Sequence, residues 1–76
     1  MDNSKLMDAE LWFAKRLGPH GEQIFTGLTT PAIRRSRIRE AILKRGVADT
    51  PINTKDTYRS AFERLYNVKL EGGSDV

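Results

Sequence analysis

The spacing of the hydrophobic residues predicts helices along most of the chain. In the first segment apolar residues recur every three or four positions, which places them on one face of a helix at about 100° per residue. The pattern predicts a helix over residues 4–17, with Ser4 as its N-cap and Gly18-Pro19 as its stop. That face is formed by Leu6, Ala9, Phe13 and Leu17 and is widened by Met7, Leu11 and Ala14.

A second helix is predicted after a short ambiguous segment. Residues 22–26 are long enough only for a short helix or a turn. The helix should then run from residue 30 to residue 45, because Thr30 suits an N-cap and Pro31 loses no hydrogen bond at the first helical position. Gly46 follows as the C-terminal cap.

The last helix has the clearest amphipathic pattern. Asn53 or Thr54 is expected to cap it, Asp56 lies near the positive end of its dipole, and Asn67 suits a left-handed C-cap. Its apolar face is formed by Tyr58, Ala61, Phe62, Leu65 and Tyr66. Residues 71–76 are expected to form a loose tail.

These elements predict an all-α fold, a small bundle of three main helices with a possible short fourth. No run alternates well enough to predict a strand. We expect one domain over residues 1–70. The predicted core consists of Leu6, Phe13, Leu17, Ile38, Ile42, Phe62 and Leu65.

Composition excludes several classes of protein. With 76 residues the chain is one small module, and without cysteine it has no disulfide framework and no cysteine zinc site. His20 stands alone between Pro19 and Gly21, which indicates a turn residue and not a metal ligand or general base. We therefore expect no enzymatic activity, no catalytic residue, no metal and no cofactor.

Targeting signals are not recognisable in the sequence. The first twelve residues contain Asp2, Asp8 and Glu10 and lack a basic start followed by an apolar run, which argues against a secretory signal. No stretch approaches the ~20 apolar residues of a membrane span. The expected location is the cytoplasm.

The positive charge is concentrated in the middle of the chain. The whole sequence has a net charge of +3, but residues 1–23 and 47–76 are each at −1, and residues 24–46 are at +5. Arginine can bind phosphate or the acceptor edge of guanine through its planar fork, and a helix N-terminus also favours phosphate. We therefore expect nucleic acid, most readily duplex DNA, to bind here. The predicted contact residues are Thr29, Thr30, Arg34, Arg35, Arg37, Arg39 and Lys44.

The segment from Gln23 to Arg34 resembles the turn and second-helix start of helix-turn-helix DNA-binding domains. Such domains commonly show a turn glycine, an apolar residue, a serine or threonine, and then an apolar residue followed by a basic one, as in the run from Gly27 to Arg34. The sequence departs from the motif at Gln23, where a small residue is usual, and at Ser36, where an apolar anchor is usual. The resemblance implies that Thr29, Thr30, Arg34, Arg35 and Arg37 face the groove while Ile33 and Ile38 pack inward.

Other interpretations of the basic cluster remain open. An arginine run is often a solvated helix face with a structural role. The same arginines would also suit an acidic protein surface, with Trp12 and Arg16 as a further contact pair, or a folded RNA. The small size is typical of regulators of phage, plasmid or bacterial type, and a homodimer is possible. The favoured function is a small DNA-binding regulatory protein, and the alternative is a protein-binding inhibitor or adaptor.

Overall fold

A computed structural model describes residues 3–70, and within them the side chains of residues 6–70 other than His20 and Glu22. Helix α1 spans Asn3–Arg16, α2 spans Pro31–Arg45 and α3 spans Tyr58–Tyr66. Two short 3-10 helices, Gly18–His20 and Glu22–Phe25, connect α1 to α2. The described residues contain no strand beyond one isolated bridge. The predicted all-α bundle of three helices is thus confirmed, and the tail predicted over residues 71–76 lies outside the described residues.

The core lies where the three helices and the second 3-10 helix meet. Of the seven predicted core residues, five are fully buried, Leu65 is partly buried against the core, and Leu6 is only half-buried. Ile24 and Leu70 belong to the core as well and were not predicted. The buried apolar side chains among the described residues are Phe13, Ala14, Leu17, Ile24, Ile38, Ile42, Phe62 and Leu70.

Helix α1 is rotated relative to the predicted apolar face. It begins at Asn3, so the prediction of Ser4 as N-cap is wrong, and Ser4 lies in the first turn. Ala9 and Leu11 are exposed, whereas the carboxylate-bearing Glu10 is completely buried. The hydrophobic pattern did not predict the buried face of α1 correctly, because that face includes the polar Glu10. Its partner, Arg34, lies in α2.

Helix α2 begins and ends as predicted. Its N-cap is Thr30, whose Oγ1 accepts a hydrogen bond from the Ile33 backbone N at 3.2 Å. Its C-cap is Gly46, which adopts the left-handed conformation at φ +66°. Both ends are set by short-range interactions, which explains why the sequence predicted them.

Helix α3 starts later than predicted. Its N-cap is Thr57, which forms a capping box with Ser60, so the prediction of Asn53 or Thr54 as the cap is wrong. Asn53 instead closes a turn before the helix, where its Oδ1 accepts from the backbone N of Lys55 and of Asp56, both at 2.7 Å. The predicted left-handed C-cap at Asn67 is confirmed by its φ of 58°.

The connection between α1 and α2 packs closely on the end of α1. A Cβ added at Gly21 would lie 1.9 Å from the Ala14 carbonyl oxygen, so only glycine fits there without a backbone shift. The end of α1 also receives two hydrogen bonds from the other helices. Arg45 in α2 donates to the Leu17 carbonyl, and the Tyr58 hydroxyl in α3 donates to the Arg16 carbonyl at 2.6 Å.

Candidate nucleic-acid interface

The basic residues of α2 divide into a group that donates hydrogen bonds within the described part of the chain and a group that does not. Arg34, Arg37 and Arg45 each donate hydrogen bonds to other parts of the chain. Arg35, Arg39 and Lys44 make no hydrogen bond or ion pair with the described residues. Only Arg34 of these residues is paired with a carboxylate of the described part of the chain, whereas Arg37 and Arg45 keep their charge but donate to backbone carbonyls. The +5 charge of this segment therefore overstates the charge that is free to bind a partner.

Arg34 is buried, contrary to the expectation that it faces a groove. Only 4% of the surface of Arg34 is exposed, and its Nε donates to Glu10 Oε1 at 2.7 Å. Its Nη1 donates to Thr29 Oγ1 at 3.0 Å, and the second Glu10 oxygen accepts from the Tyr66 hydroxyl at 2.6 Å. Glu10, Arg34 and Tyr66 thus connect α1, α2 and α3 inside the molecule, and the helical wheel could not reveal this because the partners are far apart in sequence.

The buried carboxylate also affects the tyrosine. Burial, and then the hydrogen bond to Glu10, raise the pKa of Tyr66 well above its usual value, while the positive charges of Arg34 and Arg35 oppose this shift. Tyr66 therefore stays protonated and donates its hydroxyl hydrogen to Glu10 over the whole physiological range. The Tyr66 hydroxyl and the ion pair of Glu10 with Arg34 are thus held in fixed positions inside the protein. This arrangement stabilises the fold.

Arg37 is half-buried and holds the loop that precedes α2. Its Nη1 donates to the carbonyls of Ile24 at 3.0 Å and Thr26 at 2.9 Å, which lie at the end of the second 3-10 helix. These carbonyls have no partner within so short a helix, so a cation from α2 satisfies them. Like Arg34, Arg37 is used within the fold and is not a fully solvated cation.

Three other cations converge on one cavity at the edge of α2. Arg35 and Arg39 are one helical turn apart, and Lys69 approaches from the segment after α3. Together with Ser36 they line a cavity of about 290 Å³ whose floor includes Phe62. Among residues 3–70 no carboxylate lines this cavity, so no described side chain neutralises the positive charges there. Lys69 could not be predicted as part of this site from sequence, because only the fold brings it next to the middle segment.

The remaining predicted contact residues occupy different positions around α2. Thr30 is exposed at the N-terminus of the helix, and Thr29 is half-buried and accepts a hydrogen bond from Arg34. Lys44 is exposed and lines a second depression with Arg37, Arg39 and the acidic Glu40. Arg39 thus borders both depressions, and the one with Lys44 is less positive because it includes Glu40.

Two apolar predictions for α2 had different outcomes. Ile38 is completely buried, as predicted. Ile33 is 39% exposed, so the prediction that it packs inward is wrong. Arg34 occupies the inward position next to it, because its guanidinium has a buried carboxylate to bind. Gln23 and Ser36, the two departures from the helix-turn-helix pattern, are both exposed.

Trp12 and Arg16, the pair considered for a protein partner, contact each other on a surface away from α2. The Arg16 guanidinium carbon lies 3.8 Å from the centroid of the Trp12 ring, which is a cation–π geometry. Trp12 is 40% exposed and lines a cavity with Leu65 and Arg64 of α3. At 100° per residue Trp12 is about 200° away from Glu10 around α1, so it faces away from the side that binds α2.

The described residues carry neither a group of metal ligands nor a membrane-spanning helix. Within residues 3–70, no three histidine, cysteine or acidic side chains are grouped so that they could hold a metal ion. The same part of the chain includes no helix with the length and apolar character needed to cross a membrane.

Comparisons with protein-family models, with curated proteins and with solved structures found no match to this chain.

Proposed function

We propose that this protein binds duplex DNA through the exposed face of α2, with Arg35, Arg39 and Lys69 as the main phosphate contacts. One observation carries the proposal: the three cations line one cavity, and none has a carboxylate partner among the described residues. Cationic side chains without a carboxylate partner can neutralise phosphates and release counterions, which is the main source of affinity in DNA binding.

The position of the cavity on α2 supports a duplex as the ligand. Arg35 and Arg39 are four residues apart and therefore about 6 Å apart along the helix axis. They flank an exposed face on which Ser36 and, toward the N-terminus, Thr30 are open to solvent. In helix-turn-helix proteins the N-terminal residues of such a helix contact base edges while flanking cations contact the backbone. Here Thr30 and Ser36 would contact bases and the arginines would contact phosphates.

The structure determines which variants give a clean test. Replacing Arg34 or Arg37 removes contacts that stabilise the fold, so a loss of binding in those variants would have two explanations. The Arg35→Ala/Arg39→Ala variant removes one exposed and one half-buried cation and no hydrogen bond to the described residues. A matched control is Lys15→Ala/Lys55→Ala, which removes the same charge from exposed positions outside the cavity.

The first test is fluorescence anisotropy with a mixed-sequence DNA duplex in about 50 mM salt, where phosphate contacts are strongest. We expect the wild-type protein to bind and the affinity to fall steeply as salt is added. The control variant should bind like the wild type, and Arg35→Ala/Arg39→Ala should bind much more weakly. An absence of wild-type binding at low salt would refute the proposal.

A second candidate function is binding to an acidic protein, and the apolar surface of α1 favours it. Leu11 is exposed there and lines a groove of about 550 Å³ with Ala14 and Phe25, so this surface offers apolar contacts as well as nearby charge. A pull-down from lysate with and without nuclease separates the two candidates. Protein partners that persist after nuclease treatment favour the acidic protein, and partners that disappear favour nucleic acid. A duplex RNA competitor in the anisotropy assay distinguishes RNA from DNA.

A further inference from the structure

Leu28 is the most exposed large hydrophobic residue among the described side chains. It is 99% exposed, in the loop of residues 26–29 that leads into α2. Single exposed leucines are common on protein surfaces. Leu28 differs because the residues on both sides of it are held by side chains from α2.

Arg37 and Arg34 hold this loop from its two ends. Arg37 donates to the Thr26 carbonyl at 2.9 Å on one side of Leu28. On the other side Arg34 donates to Thr29 through both the carbonyl, at 3.3 Å, and Oγ1, at 3.0 Å. Arg34 is in turn fixed by the buried Glu10. The loop is therefore constrained, and the leucine is presented to solvent at little further entropic cost to a partner.

The conformation at Gly27 also favours this presentation. Its φ is +77°, a value that side-chain-bearing residues rarely adopt, and an added Cβ would have no atom within 4 Å. The backbone at Gly27 thus turns in open space, away from the body of the protein. Leu28 follows at once and points into the same open region, three residues before the first residue of α2.

We propose that Leu28 contacts thymine methyl groups in the major groove when the protein is bound to duplex DNA. The inference rests on the proposed function, because it is the charged edge of Arg35, Arg39 and Lys69 that would bring α2 onto the phosphates. Ile33 is also exposed, near the same end of α2. The thymine C5-methyl is the apolar group that base pairs display in the major groove, so it is the group that an apolar helix end would recognise there.

The test uses duplexes that differ only in this methyl group. One contains alternating adenine and thymine, and the other contains alternating adenine and deoxyuracil, which lacks the C5-methyl. Burial of one methyl contributes about fourfold in affinity, so we expect wild-type protein to bind the thymine duplex about fourfold more tightly. The Leu28→Ala variant should bind both duplexes equally, with an unchanged salt dependence because no phosphate contact is lost.

A matched control is Leu43→Ala, which truncates another exposed leucine near the C-terminal end of α2. This variant should keep the fourfold preference for thymine. Circular dichroism should show that both leucine variants remain folded, as expected for exposed side chains.

The outcomes separate this inference from the proposed function. If the wild type binds neither duplex at low salt, both proposals fail. If the wild type binds but Leu28→Ala retains the wild-type preference for thymine, the inference alone is overturned. It is also overturned if Leu28→Ala weakens binding to both duplexes equally, or if Leu28→Ala abolishes self-association of the protein without DNA and leaves the methyl preference intact.

Discussion

The buried network of Glu10, Arg34 and Tyr66 makes the fold sensitive to a single substitution. Glu10→Ala would leave the Arg34 guanidinium, which is 4% exposed, without its carboxylate. Removing one partner of a buried ion pair costs about 3–5 kcal/mol. A domain of this size has a total unfolding free energy of about 4–11 kcal/mol, at about 0.05–0.15 kcal/mol per residue. The substitution should therefore remove a large part of the stability.

The assay is urea unfolding followed by circular dichroism, with thermal unfolding as a second measure. Glu10→Ala should lower the Tm by about 12 °C or more, since 1 kcal/mol shifts the Tm of so small a domain by about 4–8 °C. An unchanged m-value would show that the change lies in stability and not in the extent of unfolding.

An all-apolar variant is the matched control for this prediction. In Glu10→Leu/Arg34→Met/Tyr66→Phe no buried charge of the network is left without a partner, and among the described residues only the half-buried Thr29 loses a hydrogen-bond donor. Replacements of this kind are often neutral or stabilising. We expect this triple variant to be clearly more stable than Glu10→Ala. The reasoning is refuted if Glu10→Ala unfolds within about 0.5 kcal/mol of the wild type, which is the range of ordinary surface substitutions.

Three further predictions concern packing, capping and pH. Gly21→Ala should destabilise the protein by about 1–3 kcal/mol, because the added methyl would overlap the Ala14 carbonyl, and an unchanged urea midpoint would contradict this. Thr57→Ala should cost about 1 kcal/mol in the same assay through loss of the capping box with Ser60, and a cost equal to that of an exposed loop alanine would argue against the cap. The raised pKa of Tyr66 means that the folded state holds its proton more tightly than the unfolded state, so this contribution is complete below pH 10 and is lost as pH rises above 10. Stability of the wild type should therefore fall more steeply above pH 10 than that of Tyr66→Phe, and parallel curves would contradict the assignment.

The parts of the fold that were predicted from sequence are those set by short-range interactions. Thr30 and Gly46 bound α2 because a cap needs only its own residue and the adjoining turn. The start of α3 was misjudged because several capping residue types stand close together, and Asn53 accepts backbone hydrogen bonds in a turn while Thr57 caps the helix. A local pattern does not determine which of two similar residues the helix uses.

The parts that were missed depend on contacts between distant residues. Arg34 is one of several arginines in a row, and nothing in its own segment indicates that Glu10 will meet it inside the protein. Leu70 was placed at the boundary of an expected tail, but it is buried, and its backbone N donates to Glu63 at 3.0 Å. Lys69, the third cation of the candidate site, was missed for the same reason.

These corrections changed the proposed interface more than they changed the fold. The sequence indicated one arginine-rich surface, whereas the structure separates the arginines that hydrogen-bond within the fold from Arg35, Arg39 and Lys69, which line one cavity. The proposed DNA contacts are accordingly fewer, and they can be altered without removing the hydrogen bonds that hold the helices together.

The salt dependence of DNA binding tests the central claim most directly. Each phosphate contact contributes about −0.9 to the slope of log Kobs against log salt, so three contacts predict a wild-type slope of about −2.7. The Arg35→Ala/Arg39→Ala variant should have a slope shallower by about 1.8, and Lys15→Ala/Lys55→Ala should keep the wild-type slope. Equal slopes in the two double variants, or no measurable wild-type binding at about 50 mM salt, would contradict the account.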